Sequence, residues 1–248
     1  MSDPAGLLAH AVAREKGGRF VVENYGDSAL ARRFGVKRYP AIFVDDVLVA
    51  TPKDFGFFGK GEGKQEGRYA PLKSAESHER FRADLTRMLK LILAGDRESA
   101  RARAATTDAE PLPKLPALAL VDLDGRPVTP EDLAGRVVLV EFWATWCPPC
   151  RGTLAWLGEL QRRHPKDVVV LAAAIESEEA DVRRIREELG TPLRFAMGTP
   201  EMARAFGDLS AVPTLFVFDR QGRTRGTFYG APPSLHAEAE AALAKALD

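Results

Sequence analysis

The sequence predicts an α/β protein in two parts, the second built around a buried strand that delivers two cysteines to a helix. Three observations carry that expectation. The apolar run Val137–Phe142, broken only by Glu141, lacks the alternation of a half-exposed strand and reads as buried on both faces. It leads into Trp146-Cys147-Pro148-Pro149-Cys150, whose two cysteines are the only ones in 248 residues. Strand-like and helix-like stretches alternate on both sides of it.

Composition narrows the function classes. Hydrophobic residues at 45% and charged residues at 28% are ordinary for a soluble globular protein of one large or two small domains. Lys+Arg and Asp+Glu both number 35, so no global charge calls for nucleic acid or an acidic membrane as partner. The longest apolar run, Val168–Ile175, is far too short for a membrane span. The first residues show no basic region followed by an apolar core, so no signal peptide is expected. The chain as written is therefore expected in the cytoplasm, or outside it if a signal or anchor precedes Met1 in the full protein. Two cysteines allow at most one intramolecular disulfide and exclude a disulfide-stapled scaffold.

The first part, residues 1–95, is free of cysteine. Leu7–Arg14 is helix-like and Arg19–Glu23 strand-like. Asp27 is positioned to cap a helix through Phe34, with Gly35 just past its end. Tyr39-Pro40 leads into a strand, Ala41–Val44. Lys53–Leu72, rich in Gly, Lys and aromatics, has no period, and its glycines match no phosphate-binding pattern. Ser77–Ala94 returns to helical spacing through Phe81, Leu85, Met88, Leu91 and Leu93. Residues 96–113 read as a linker: Arg/Ala-rich at first, able to extend the helix to Ala105, then polar and interrupted by proline.

The second part, residues 114–248, opens on a hairpin, Leu118–Val128, turning at Asp122-Leu123-Asp124-Gly125. The Val137–Phe142 strand follows, then a helix to about Arg163 with Pro148 tolerated in its first turn. Val168–Ile175 is a second buried strand and Ser177–Leu189 a helix stopped by Gly190. Thr199-Pro200-Glu201 opens a short helix closed by Gly207. Val212-Pro213-Thr214 precedes the strand Leu215–Phe218, which turns at Asp219–Gly222 into Thr224–Tyr229. A helix from Ser234 to about Leu247 ends the chain.

An internal echo links the two parts. Ala31-Arg32-Arg33-Phe34-Gly35 and then Pro40-Ala41-Ile42-Phe43-Val44 resemble Ala203-Arg204-Ala205-Phe206-Gly207 and then Pro213-Thr214-Leu215-Phe216-Val217. The proline falls at the same structural point in both copies, which favours a duplicated unit over chance likeness.

The chemistry follows from the Cys-x-x-Cys. At a helix start, Cys147 is the sulfur expected to be accessible, with Cys150 behind it. Unpaired amides and the helix dipole favour a Cys147 thiolate and lower its pKa below the free value of roughly 8.5. Cys147 would attack a substrate disulfide and Cys150 would resolve the mixed disulfide. Arg151 follows Cys150 where covalent haem attachment needs His, and Ala144 stands where a peroxiredoxin-like site needs Thr or Ser. The four histidines are scattered and complete no zinc pattern. No metal or organic cofactor is expected.

On Phe142–Arg151, the Leu118–Val128 hairpin with its Asp-Gly turn, and Val212-Pro213-Thr214, residues 114–248 resemble the TlpA/ResA-type thiol–disulfide reductase family. The resemblance implies a thioredoxin-like three-layer fold with a central mixed sheet. It also implies a cis peptide between Val212 and Pro213, in a loop beside Cys147 that offers the Val212 backbone to an extended substrate. Trp146, Pro148 and Pro149 would line the same substrate surface, with Trp146 shielding the disulfide. The first part would then be a degenerate or incomplete thioredoxin-like domain; a missing upstream region and a chance likeness are the alternatives.

Glu141 departs from a plain core. Flanked by Val137–Val140 and Phe142-Trp143, it is expected to be buried, with desolvation raising its pKa. In thioredoxins an acid at this point is implied to relay a proton for the resolving cysteine, so Glu141 is the expected acceptor of the Cys150 proton. Other departures concern substrate recognition. Many relatives carry Glu and Pro within five residues after the second cysteine, whereas this chain has Arg151-Gly152-Thr153-Leu154-Ala155. Pro148 and Pro149 supply neither amide nor charge to the thiolate, which favours a reductant over an oxidant. The expected function is reduction of protein disulfides, with electrons from a partner dithiol. A disulfide oxidase or isomerase on the same site, and a partner-binding or chaperone protein led by the first part, are the alternatives.

Overall fold

The computed structural model describes residues 21–23, 28–36, 41–51, 54, 68–69, 74–102, 112–118, 120–207, 209 and 212–248. The chain divides into two compact units, Met1–Ala109 and Glu110–Asp248. The Leu7–Arg14 helix, Asp27, Tyr39-Pro40 and most of Lys53–Leu72 lie outside the described residues, and Val21–Glu23 have no regular structure.

In the first unit, Ser28 caps α1 (Ala29–Arg33) by accepting from the Ala31 amide at 2.7 Å. Strands β1 (Ile42–Val44) and β2 (Val47–Ala50) form an antiparallel hairpin. Helix α2 (Ala75–Leu93) lays Phe81, Leu85 and Met88 into a core with Val44, Val47, Val49 and Tyr69. Leu93 is 77% exposed, because it stands five residues beyond Met88 and falls off the buried stripe that Ile92 continues. The stretch read as a linker from residue 96 begins instead as a helix, α3 (Arg97–Ala102). Two contacts hold α3 there. Ala100 is buried in the unit's core, and Arg97 and Arg101 pair with Asp46 in the hairpin turn at 2.8 and 3.1 Å.

The second unit is a five-stranded mixed sheet between helices, as the fold class requires. A small hairpin, β3 (Leu120–Val121) with β4 (Pro127–Val128), precedes α4 (Pro130–Leu133). Then come β5 (Val137–Trp143), α5 (Pro148–Arg163), β6 (Val168–Ala174), α6 (Glu179–Leu189) and β7 (Arg194–Met197). Helix α7 (Pro200–Ala205), strands β8 (Thr214–Phe218) and β9 (Thr224–Tyr229), and α8 (Leu235–Leu247) complete it. The sheet order is β7-β6-β5-β8-β9, with β5 at the centre, parallel to β6 and antiparallel to β8.

All seven residues of β5 are buried, and their side chains alternate between two layers. Leu139 and Trp143 join the layer of Cys150, Leu154 and Leu157 from α5 and Ala239 and Leu243 from α8. Phe142 points the other way, 5.0 Å from Phe206 at the end of α7 and 6.1 Å from Phe216. Gly158, inside α5, marks a close approach: a Cβ there would come within 2.5 Å of the Thr191 methyl. Strand β7 escaped the sequence reading, since four residues led by an arginine carry little strand signal.

In the first unit α1, the β1–β2 hairpin and α2 follow one another in the order of α7, β8, β9 and α8. Phe34 stacks on Phe43 at 4.7 Å, as Phe206 meets Phe216 at 5.1 Å. Both short helices end on a left-handed glycine, Gly35 at φ 62° and Gly207 at φ 80°.

Candidate active site

Strand β5 ends at Trp143, and the turn Ala144–Cys147 carries the chain into α5. The turn closes through the Cys147 amide, which donates to the Ala144 carbonyl at 3.1 Å. Cys147 is the N-cap residue, with Pro148 and Pro149 opening the helix where amides would have no intrahelical partner. The Cys150 amide donates to the Cys147 carbonyl at 3.2 Å. Cys147 and Cys150 are joined in a disulfide, their Cα atoms 5.4 Å apart. Cys150 is wholly buried and Cys147 retains 4% exposure, beneath an outer surface of Trp146, 43% exposed, and the exposed Pro148 and Pro149.

Glu141 is fully buried on the same face of β5 as Leu139 and Trp143, the face whose layer includes Cys150. Its register neighbours on β6 and β8 are Ala172 and Leu215, both apolar. Among the described residues neither carboxyl oxygen has a hydrogen-bond partner. Burial therefore acts unopposed and pushes its pKa well above the usual carboxylate value.

The Val212–Pro213 peptide is cis. Pro213 is buried, and its carbonyl accepts from the Gly230 amide at 2.7 Å. Val212 is partly buried and packs against the cluster that contains both cysteines. The strand order thus brings three separate stretches of sequence to one end of β5: the turn and helix start that follow Trp143, Val212-Pro213, and the segment after β6.

That last segment was not anticipated. Ser177 was read as the start of a helix, but the helix begins at Glu179 and Ser177 turns instead to Thr145, accepting from its amide at 3.0 Å and its hydroxyl at 3.2 Å. The Trp146 indole donates to the Glu176 carbonyl at 3.1 Å. Nothing in Glu176-Ser177-Glu178 distinguishes these residues from an ordinary helix entry. On α5, Arg151 pairs with Glu188 of α6 at 3.0 Å and braces the two helices.

A mixed sheet whose central strand delivers a Cys-x-x-Cys disulfide to a helix, with a cis-proline loop before the following hairpin, is a thioredoxin-like domain. The Redoxin family model matches residues 109–243, and the chain belongs to that family. The thiol-disulfide oxidoreductase ResA of Bacillus cereus is 28% identical over 111 residues, covering 44% of this chain and 63% of that protein. The thioredoxin-like protein YneN of Bacillus subtilis is 29% identical over 109 residues, 43% of this chain and 64% of its own length. The chain thus spans less than two thirds of the length of these relatives. A crystal structure of a thiol:disulfide interchange protein of the thioredoxin family from Chlorobium tepidum shares 31% identity with a TM-score of 0.50. The match covers 57% of this chain and all of that one.

Proposed function

We propose that this protein is a thiol–disulfide oxidoreductase that reduces protein disulfides through Cys147 and Cys150. The observation that carries the reading is the disulfide at the start of α5, one sulfur at the surface side and the other enclosed, under an exposed tryptophan. The names of its relatives support the same chemistry. In the reduced protein the Cys147 thiolate attacks one sulfur of the substrate disulfide, and the other sulfur leaves as a thiolate that takes up a proton. Cys150 gives its proton to the Glu141 carboxylate and attacks Cys147 in the mixed disulfide. The second substrate sulfur leaves, also to be protonated, and the Cys147–Cys150 disulfide forms. Two electrons pass from the dithiol to the substrate. No metal or organic cofactor takes part, and a partner dithiol restores the reduced state.

Trp146, Pro148, Pro149 and the Val212-Pro213 loop form the surface against which the substrate segment docks. The reductive direction is supported by Pro148 and Pro149, which offer the thiolate no amide hydrogen bonds and so leave the dithiol less stabilised. The first unit we read as a degenerate thioredoxin-like module. Its helix–hairpin–helix order and its Phe34–Phe43 pair, matching Phe206–Phe216, support that reading.

Replacing Cys150 with Ser leaves Cys147 unable to be released, and the expected outcome is a covalent complex between Cys147 and its protein substrates. Absence of any trapped species, together with a wild-type dithiol inert toward disulfides, defeats the proposal. Direction is tested separately by a reduction potential near or below that of thioredoxin, about −270 mV.

A further inference from the structure

The turn that aims Cys147 is clasped by the segment that follows β6. Parallel pairing of β5 and β6 runs to Trp143 and Ala174, and the Ile175 amide then donates to the Trp143 carbonyl at 2.8 Å. Strand structure stops there, but the contacts continue in step. Ser177 reaches Thr145, and the Glu176 carbonyl receives the Trp146 indole. Glu176 sits at φ 46°, a left-handed conformation unusual for a residue with a Cβ. Residues on both sides of it are committed to the turn.

Ser177 is central to this clasp. A serine hydroxyl has one proton to give and two lone pairs to receive with. Here the two acceptor sites take the Thr145 amide and hydroxyl, and the proton goes to the Ile175 carbonyl at 2.9 Å. The hydroxyl is saturated, so it is equipped to hold geometry and not to react. Thr145 lies inside the turn that the Cys147 amide closes onto Ala144. Pro148 and Pro149 have no amide, which leaves few donors near the sulfur and makes thiolate stability sensitive to how the turn is set.

We propose that Ser177 is a positioning residue for the redox centre: its hydroxyl ties Thr145 to Ile175 and so fixes how the turn presents the Cys147 sulfur beside Trp146. The inference rests on the thiol–disulfide chemistry proposed above, acting through Cys147 without touching substrate. A hydroxyl that fixes the turn affects the thiolate itself, which a residue serving only to stabilise the fold does not.

The test compares the reduced full-length protein with S177A and S177T. Two readouts are the pH profile of Cys147 alkylation by iodoacetamide and the rate of reduction of insulin disulfides. S177A is expected to shift the alkylation profile to higher pH and to slow insulin reduction on the order of tenfold, the scale of a small misplacement of a reacting group. S177T is expected to restore both. Should S177A not fold, the isosteric pair S177T and S177V makes the same comparison, since the two differ by the hydroxyl alone. A wild-type profile and rate in S177A or S177V overturn the proposal. So does a loss that S177T fails to restore, which assigns the effect to packing. A wild-type protein inert toward iodoacetamide and insulin defeats the redox reading itself, an outcome separate from either.

Discussion

Buried carboxylates occur in two settings in the second unit, and they behave in opposite ways. Glu141 sits in the middle of the sheet with apolar neighbours and no hydrogen-bond partner among the described residues, and its pKa is raised. Asp219, only 2% exposed, closes the β8–β9 turn. One of its oxygens accepts from the Gln221 and Arg223 amides, both at 2.9 Å, and the other from the Arg223 and Arg225 guanidiniums, both at 2.8 Å. Asp122 repeats the arrangement in the β3–β4 turn, accepting from the Asp124 and Arg126 amides and from Arg126 and Arg194. Burial alone would raise both aspartates, but these donors outweigh it and hold both below the usual carboxylate value. Burial therefore does not determine ionisation. The partner set does, and among the described residues Glu141 has none.

The largest effect expected from breaking this contrast is structural. Asp219→Ala removes the acceptor for two amides and two guanidiniums at once. Because Arg223 and Arg225 remain partly exposed and can turn to water, the expected loss is about 2–3 kcal/mol, below that of a fully buried pair. Urea denaturation measures it, and a loss under about 0.5 kcal/mol, the level of an ordinary surface substitution, would show that the network is ornamental. Thiol–disulfide exchange by the folded variant should be unaffected, since Asp219 lies at the far end of β8 from Pro213.

The complementary change affects chemistry in place of stability. Glu141→Gln keeps the shape but removes the proton acceptor, and resolution of the mixed disulfide is expected to slow on the order of a hundredfold at neutral pH, the lower end of general acid–base effects. Single-turnover kinetics with a labelled disulfide separate the attack by Cys147, which should be unchanged, from the release by Cys150. An unchanged release step would take Glu141 out of the mechanism.

The two classes of carboxylate were unequally legible in the sequence, for a physical reason. An uninterrupted apolar run betrays a central strand, so the burial of Glu141 could be read from its neighbours alone. Strands β5, β6, β8 and β9 and the dithiol at a helix start were legible in the sequence as well, whereas β7 was not. Asp122 and Asp219 read only as turn residues, because one of the two guanidiniums that each meets, from Arg194 and Arg225 respectively, comes from a position whose proximity exists only after folding. Ser177 is the same case at the active site: a local pattern that fits a helix entry is overruled by a contact to Thr145, 32 residues away in sequence. Local periodicity reveals what is buried. It does not reveal what a buried polar group meets.

The pH dependence of stability separates the two classes by sign. A carboxyl whose folded pKa is raised stabilises the fold fully below its unfolded value, here 4.5. As pH rises beyond that, the unfolded chain releases a proton that the folded protein keeps, and stability falls until the pH passes the folded pKa. Asp219 and Asp122 act the other way. Their contribution is complete above the ordinary aspartate value of 3.8 and is lost as pH falls through their lowered folded values. Glu141→Leu should therefore gain stability over the wild type as pH rises from 4.5, with a slope of up to about 1.4 kcal/mol per pH unit, and show no gain below that point. Both proteins should weaken alike in acid, since the aspartates are untouched. Urea titrations of the reduced proteins at several pH values give the two curves, and curves that stay parallel from pH 4 to pH 8 would mean that Glu141 ionises as freely in the folded protein as in the unfolded chain.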